Sequence, residues 1–293
     1  MPEPRLTDPP DKAARSATGS GAYPAGAPAG IGGLVRIGDP VRTGDPVLID
    51  TDHGPARVHL FPAGTATGPA TDAETSTGPG AGTSTSTGNG TRARGLLMLG
   101  HGAGGGVQAP DLRTTAAVAL DLGWHVALVE QPYRVAGRRA PAPARQLDAA
   151  WTQVATHLTE GDTPHPPEGD GTEFAAFDVA GLPLVVGGRS SGARVACRTA
   201  RHLGAVGVLC LAFPLHPPKD RPSRLPELDD AGLPVLVVQG EKDRFGMPPA
   251  APGRTVAVVP GDHSLKKDQN TVGAAVRDWL SGLSPSSPGE SGR

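Results

Sequence analysis

The sequence predicts an α/β protein with a mostly parallel β-sheet and helices on both faces of that sheet. Two observations lead to this fold class. Apolar runs alternate with helical patterns along most of the chain, as expected when helices connect neighbouring parallel strands. The runs are also continuously apolar, whereas a strand with one solvated face alternates between polar and apolar residues. We therefore expect both faces of the sheet to be covered.

The elements can be assigned in chain order. An antiparallel hairpin is predicted first, because Val47–Asp50 and Ala56–Phe61 flank a turn that contains Gly54 and Pro55. Parallel strands are then predicted at Gly95–Leu99, His125–Glu130, Pro183–Val186, Val206–Phe213, Pro234–Gly240 and Thr255–Val259. Helices are predicted at Ala109–Leu122, Pro143–Leu158, directly after Ser190 and at Asn270–Leu283.

Low-complexity segments define the domain boundaries. Residues 1–33 are rich in Pro, Gly, Ala and Ser, so they cannot bury enough apolar surface to offset the entropy of ordering. They are predicted to be a disordered tail, as are residues 284–293. One domain is expected over residues 34–283. A flexible insertion is predicted within it at residues 62–94, which are nearly all Gly, Thr, Ser, Ala and Pro.

Composition excludes several function classes. The formal net charge is -2, which does not favour a broad surface for nucleic acid or anionic lipid. The longest apolar run, Ala205–Phe213, is too short to cross a bilayer, and Met1–Tyr23 contains no signal-peptide segment. A cytoplasmic protein without a nucleic-acid or membrane partner is expected. Because the histidines are scattered and Cys197 and Cys210 lack ligand spacing, no metal or other cofactor is predicted.

The most informative stretch is Pro183–Cys197, which reads as a strand, a turn of small residues and a helix. It contains the G-x-S-x-G pattern Gly188-x-Ser190-x-Gly192, in the context that a nucleophile elbow requires. A serine at the tip of such a turn sits in strained backbone, and glycine two positions to either side avoids collisions with neighbouring elements. Ser190 is therefore the candidate nucleophile. The alternative is a glycine-rich loop that matches by chance, since the chain has 42 glycines.

Candidates for the acid and the base follow two later strands. A nucleophilic serine needs a base, and a third group that orients the base. Asp243 follows the strand that ends at Gly240, and His263 follows the strand that ends at Val259. The resulting order Ser, Asp, His is the one expected on this topology. Glu241 is a rival for the acid, and His216 is a rival for the base.

The glycine-rich run after the first parallel strand is the candidate oxyanion loop. Two backbone amides are needed to hold a negative tetrahedral oxygen, and we expect them to be those of Ala103 and Ser191. A phosphate-binding loop is the alternative, because Gly100-x-Gly102-x-x-Gly105 has dinucleotide-binding spacing and Glu130 ends the next strand.

Five further residues are candidates for substrate binding: His101, Arg138, Arg139, Arg189 and His216. The arginines could bind an acidic group on a substrate. The alternative is that they are solvated or paired with carboxylates, as arginines on loops commonly are.

These features together resemble the α/β-hydrolase superfamily over roughly Val47 to Leu283. The runs that carry the resemblance are Leu99–Gly105, Glu130–Tyr133 with Arg138-Arg139, Gly187–Gly192, Phe213–Pro218, Gln239–Gly246 and Gly261–Lys266. They are similar to small dienelactone-hydrolase-like proteins, and most similar to bacterial relatives of the testis-expressed and NSL-complex α/β-hydrolase-like proteins. The resemblance implies Ser190 as nucleophile, Asp243 as acid and His263 as base. Dienelactone hydrolases proper have cysteine where this chain has Ser190.

The sequence thus predicts a serine hydrolase of small-molecule carboxylic esters or thioesters, acting through an acyl-enzyme, with acyl transfer as a variant of the same chemistry. No large cap domain is expected, because the segment from Phe213 to Leu233 is too short for one, and the site should be open and shallow. The alternative is a binding or scaffolding module on the same fold. A protein partner is compatible with the resemblance, since some animal relatives act in protein complexes.

Overall fold

The computed structural model describes residues 46–64, 92–160, 177–219 and 221–283. The two predicted tails, most of the predicted insertion at 62–94, and residues 34–45 at the start of the expected domain lie outside these ranges. Within them, the chain folds as an eight-stranded, mostly parallel sheet with helices on both faces, which confirms the predicted fold class.

The strand order across the sheet is β1-β2-β4-β3-β5-β6-β7-β8. Strands β1 and β2 form the predicted antiparallel hairpin, and β2 pairs antiparallel with β4. The six strands β3 to β8 are all parallel to one another. The bounds are β1 Val47–Ile49, β2 Ala56–Phe61, β3 Leu96–Gly100, β4 His125–Glu130, β5 Leu184–Arg189, β6 Gly207–Leu211, β7 Val235–Gly240 and β8 Arg254–Val259.

Helices lie on both faces because successive strand residues point to opposite sides. Leu96 and Met98 of β3 pack into one core, together with Trp151, and Leu97 and Leu99 pack into the other. The bounds of the helices are α1 Pro110–Asp121, α2 Pro132–Val135, α3 Ala144–Thr159, α4 Ser191–Thr199, α5 Leu225–Asp229 and α6 Gln269–Gly282. Helices α3 and α4 contribute to the first core, and α1 and α6 to the second.

Helices α2 and α5 were not predicted from the sequence. They have four and five residues, which is too short for an apolar period of 3.6 to be visible. Helix α5 is also the only helix between β6 and β7 in the described part of that connection. The connection therefore carries no large cap, as predicted.

Cys197 and Cys210 pack between α4 and β6 as buried hydrophobes, with their Sγ atoms 3.5 Å apart. Over the described ranges, the helices are too short or too polar to cross a membrane. The same ranges contain no group of three His, Cys, Asp or Glu side chains placed to hold a metal ion.

Candidate active site

Ser190 occupies the sharp turn between β5 and α4. Its φ is 52° and its ψ is -103°, a conformation that costs a non-glycine residue of order 1–3 kcal/mol. The neighbouring strand holds it there, because the Ser190 amide donates to the Leu211 carbonyl at 2.9 Å. The Ser190 side chain is thus presented beyond the carboxyl end of the central strand, at the start of a helix.

The glycine at position 188 is required by the neighbouring strand. Gly188 pairs with Gly100 of β3, and a Cβ atom on Gly188 would lie less than 3.0 Å from the Gly100 backbone. Its φ of 155° is also one that side chains rarely adopt. The turn and the glycine-rich loop after β3 can therefore approach closely only without side chains at this contact.

His263 and Asp243 are brought into a hydrogen-bonded line with Ser190. The Nε2 atom of His263 lies 3.0 Å from the Ser190 Oγ, and its Nδ1 lies 2.8 Å from the Asp243 Oδ2. A carboxylate only accepts hydrogen bonds, so Nδ1 donates to Asp243 and leaves Nε2 to accept the Ser190 hydroxyl proton. A line of this geometry can activate a serine hydroxyl for attack.

The Asp243 carboxylate is fully buried and held by further donors. Its Oδ1 accepts from the Phe245 amide at 2.9 Å, and its Oδ2 accepts from Gln239 Nε2 at 2.8 Å. The rings of Phe245 and His263 pack in a T-shaped arrangement, with ring centroids 4.6 Å apart. Sequence reasoning gave Gln239 no role, although one signal was present: it is a polar residue in the otherwise apolar strand β7.

The rival acid and base do not reach this line. Glu241 is exposed, and its Oε1 atom lies 4.0 Å from Nζ of Lys242. The exposed His216 packs against Gly246, and its amide donates to the Phe245 carbonyl. His216 thus lies beside the loop that carries Asp243, while His263 makes the contact with Ser190.

The loop after β3 reaches the Ser190 turn. A Cβ atom on Gly102 would lie 3.7 Å from the Ser190 Cβ. The next residue, Ala103, is fixed through its carbonyl, which accepts from the Tyr133 hydroxyl at 2.9 Å. Within the described ranges, neither the Ala103 amide nor the Ser191 amide donates to another protein group. Both predicted oxyanion donors therefore retain an uncommitted N–H.

The dinucleotide-binding alternative does not agree with this loop. Its glycine pattern should open a helix directly, but Gly100 still belongs to β3 and α1 begins only at Pro110. The acidic residue at the end of β4, Glu130, is already paired with Arg57 at 2.9 Å.

His101 has an internal role in place of the substrate contact considered from the sequence. It is buried, its Nδ1 lies 2.8 Å from the Gly102 carbonyl, and its Nε2 accepts from the Gln131 amide at 3.1 Å. Burial lowers the pKa of His101, although the Gly102 carbonyl opposes this, so the neutral ring that fits these two bonds is favoured. Neither nitrogen is left for a substrate.

The three candidate arginines differ in their surroundings. Arg138 and Arg139 are exposed, and Arg138 lines a cavity of 80 Å³ beside Tyr133. Arg189 is engaged internally, because its Nε lies 2.9 Å from the Asp111 Oδ2 and its Nη2 donates to the His263 carbonyl at 2.9 Å. The structure therefore gives Arg189 protein partners in place of the expected substrate group.

Comparisons with solved structures show the same fold. The chain is similar to a lidless α/β serine hydrolase from Xanthomonas campestris, with 16% identity, a TM-score of 0.54, and coverage of 85% of this chain and 98% of that one. It is also similar to the dienelactone hydrolase of Anabaena variabilis, with 16% identity, a TM-score of 0.51, and coverage of 82% and 99%. The Pyrococcus furiosus esterase Pf2001 has 12% identity, a TM-score of 0.54, and coverage of 81% and 89%.

A comparison with curated protein sequences gives no match. Residues 93–279, more than half of the chain, match the family model described as an alpha/beta hydrolase domain. The protein therefore belongs to the alpha/beta hydrolase family.

Proposed function

We propose that the protein is a serine hydrolase of small-molecule carboxylic esters or thioesters. The observation that carries this proposal is the line from Ser190 through His263 to the buried Asp243, with distances of 3.0 and 2.8 Å. The strained backbone of Ser190 adds support, because strain of this kind is retained where function needs it.

The reaction follows from this geometry. The Ser190 Oγ forms a bond to the substrate carbonyl carbon while its proton passes to His263 Nε2, and Asp243 stabilises the resulting imidazolium. The amides of Ala103 and Ser191 hold the negative carbonyl oxygen. The bond to the leaving alcohol or thiol then breaks, and that group takes the proton from His263. Water attacks the acyl-enzyme by the same route, which releases the acid and restores Ser190.

Relatives support this reaction class without defining a substrate. The Pyrococcus furiosus neighbour is an esterase, and the family is a hydrolase family. At 12–16% identity these structures share the fold with this chain. Dienelactone hydrolases proper have cysteine where this chain has Ser190, so their substrate is not carried over to this protein. The resemblance to the testis-expressed and NSL-complex relatives stays a prediction.

We propose short acyl groups as substrates. The cavity beside Ser191 and Gly192 has a volume of 10 Å³ and is walled by Tyr133, Leu147 and Trp151, so it has room for about one water molecule. The adjoining 80 Å³ cavity shares Tyr133 and Leu147 with it. Without a cap to enclose a longer chain, each added methylene gains little burial, worth at most about 0.8 kcal/mol.

The test combines a probe and a substrate panel. A fluorophosphonate probe should label the wild-type protein, and Ser190→Ala should abolish labelling. Ser223→Ala should label normally, because it removes an exposed serine whose hydroxyl accepts from the Leu225 amide and has no histidine partner among the described residues. Nitrophenyl esters from acetate to octanoate should show kcat/KM declining with chain length. If the wild-type protein is not labelled and no ester is turned over, the enzyme proposal fails and a binding or scaffolding module is the better description.

A further inference from the structure

Arg189, which directly precedes Ser190, connects three segments around the candidate site. Its Nη2 donates to the main-chain carbonyl of His263 at 2.9 Å, and its Nε forms a 2.9 Å ion pair with Asp111 in the first turn of α1. The Arg189 side chain is 18% exposed and that of Asp111 is fully buried. The base is thus tethered to the turn that carries the nucleophile.

The glycine-rich loop leaves space for this guanidinium. A Cβ atom on Gly102 would lie 3.1 Å from Arg189 Nη1, which is tighter than ordinary van der Waals contact. The absence of a side chain at Gly102 therefore lets the guanidinium lie between the loop after β3 and the loop that carries His263. A planar guanidinium can lie in ion-pair contact with a carboxylate on one side while it donates to a carbonyl on another, whereas a lysine ammonium on a flexible stem is a single point charge.

Asp111 compensates the charge of Arg189. Burial raises the pKa of Asp111, and the neighbouring Arg189 opposes that rise. An uncompensated guanidinium at this place would oppose the positive charge that His263 gains during the proposed reaction. The Asp111 carboxylate therefore allows the Arg189 guanidinium to lie beside His263, although His263 must itself become positively charged during the proposed reaction.

We propose that Arg189, held and neutralised by Asp111, is a positioning residue that fixes the His263 backbone so that Nε2 stays within hydrogen-bonding reach of Ser190. The inference rests on the proposed function, since it describes how the proposed base is aligned. It replaces the substrate-binding role that the sequence suggested for Arg189.

The test measures the rate of fluorophosphonate labelling and the kcat and KM for nitrophenyl acetate. In Arg189→Lys and Arg189→Ala, the labelling rate and kcat should fall on the order of 10- to 100-fold, the effect of a misplaced catalytic group, while KM changes little. Added guanidinium, well below denaturing concentrations, should partly restore labelling of Arg189→Ala, and ammonium should not. A structural role alone would give no such selective rescue.

Arg198→Lys is the matched control. Arg198 lies on α4, the helix that follows the candidate nucleophile turn, and is 20% exposed. It forms ion pairs with Asp148 of α3 and Glu227 of α5, and none of its bonds is to Ser190, His263 or Asp243. Its loss should lower thermal stability and leave the labelling rate unchanged. If Arg189→Ala does not fold, Arg189→Lys against this control decides the question.

The outcomes separate the two proposals. A wild-type protein that is not labelled removes the proposed function and this inference with it. A wild-type protein that is labelled, with Arg189→Lys labelled at the same rate, overturns the inference alone. Equal losses in Arg189→Lys and Arg198→Lys also overturn it, because the effect would then reflect general destabilisation.

Discussion

Gly192 lies so close to Gly100 that a Cβ atom on Gly192 would come within 3.0 Å of the Gly100 carbonyl oxygen. The obstacle is backbone in the centre of the sheet, so it cannot move aside as a flexible side chain could. The second glycine of the G-x-S-x-G pattern is thus fixed by packing against the strand that leads into the candidate oxyanion loop.

Gly192→Ala should therefore destabilise the fold. Overpacking of a core typically costs about 1–3 kcal/mol, which urea unfolding can measure. Gly282→Ala is the matched control, because nothing lies within 4 Å of a Cβ atom there, and its effect should stay within about 1 kcal/mol. Equal stability of Gly192→Ala and wild type would show that the two segments can separate at no cost.

The arrangement of Ser190, Asp243 and His263 could be predicted because each residue lies within four residues of the carboxyl end of a strand. Parallel strands end at one edge of the sheet, so the order of apolar runs along the chain was enough to bring the three together. Asp111 gave no comparable signal, since an acid in the first turn of a helix is commonly explained by the helix dipole alone. Its burial against Arg189 depends on how α1 packs, which local patterns do not contain.

His101 illustrates the same limit. A histidine in a glycine-rich loop beside a candidate nucleophile is compatible with substrate binding, and only the positions of Gly102 and Gln131 show that both ring nitrogens are occupied. These partners come from the peptide that follows it and from the end of the neighbouring strand β4. To predict the hydrogen bonds of this buried ring, one must therefore know how the strands of the sheet are aligned.

The lowered pKa of His101 should make stability fall in acid. Burial favours the neutral ring in the folded state, so below the ordinary value of 6.5 the unfolded chain binds more protons than the folded one. The stabilising contribution is present above that value and is lost as the pH falls through the lower, folded value. Burial also lowers the pKa of His59 and His125, so the wild-type protein should be less stable at about pH 5.5 than at about pH 7.5.

Urea unfolding of variants at these two pH values measures how much of the difference in the free energy of unfolding is due to His101. His101→Gln should lose less stability between them than wild type does, even if it is less stable at both. His202→Gln, at an exposed position, should keep the wild-type difference. A His101→Gln variant with the full wild-type difference would assign the acid sensitivity to other groups.

The Tyr133 hydroxyl donates to the Ala103 carbonyl, and through it should hold the Ala103 amide in place. Tyr133→Phe removes this bond without removing the ring that lines the site cavities. A neutral hydrogen bond is worth about 0.5–1.5 kcal/mol, so kcat for nitrophenyl acetate should fall about 2- to 10-fold. Burial raises the pKa of Tyr133 to about 12, so the ratio of wild-type to variant kcat should stay constant from about pH 7 to about pH 10.

Thr199→Val is the control for Tyr133→Phe, because it removes another buried hydroxyl, which donates to the Val195 carbonyl at 2.8 Å. This variant should lower stability without changing kcat. An equal fall in kcat in both variants would contradict a specific role for Tyr133 in holding the loop.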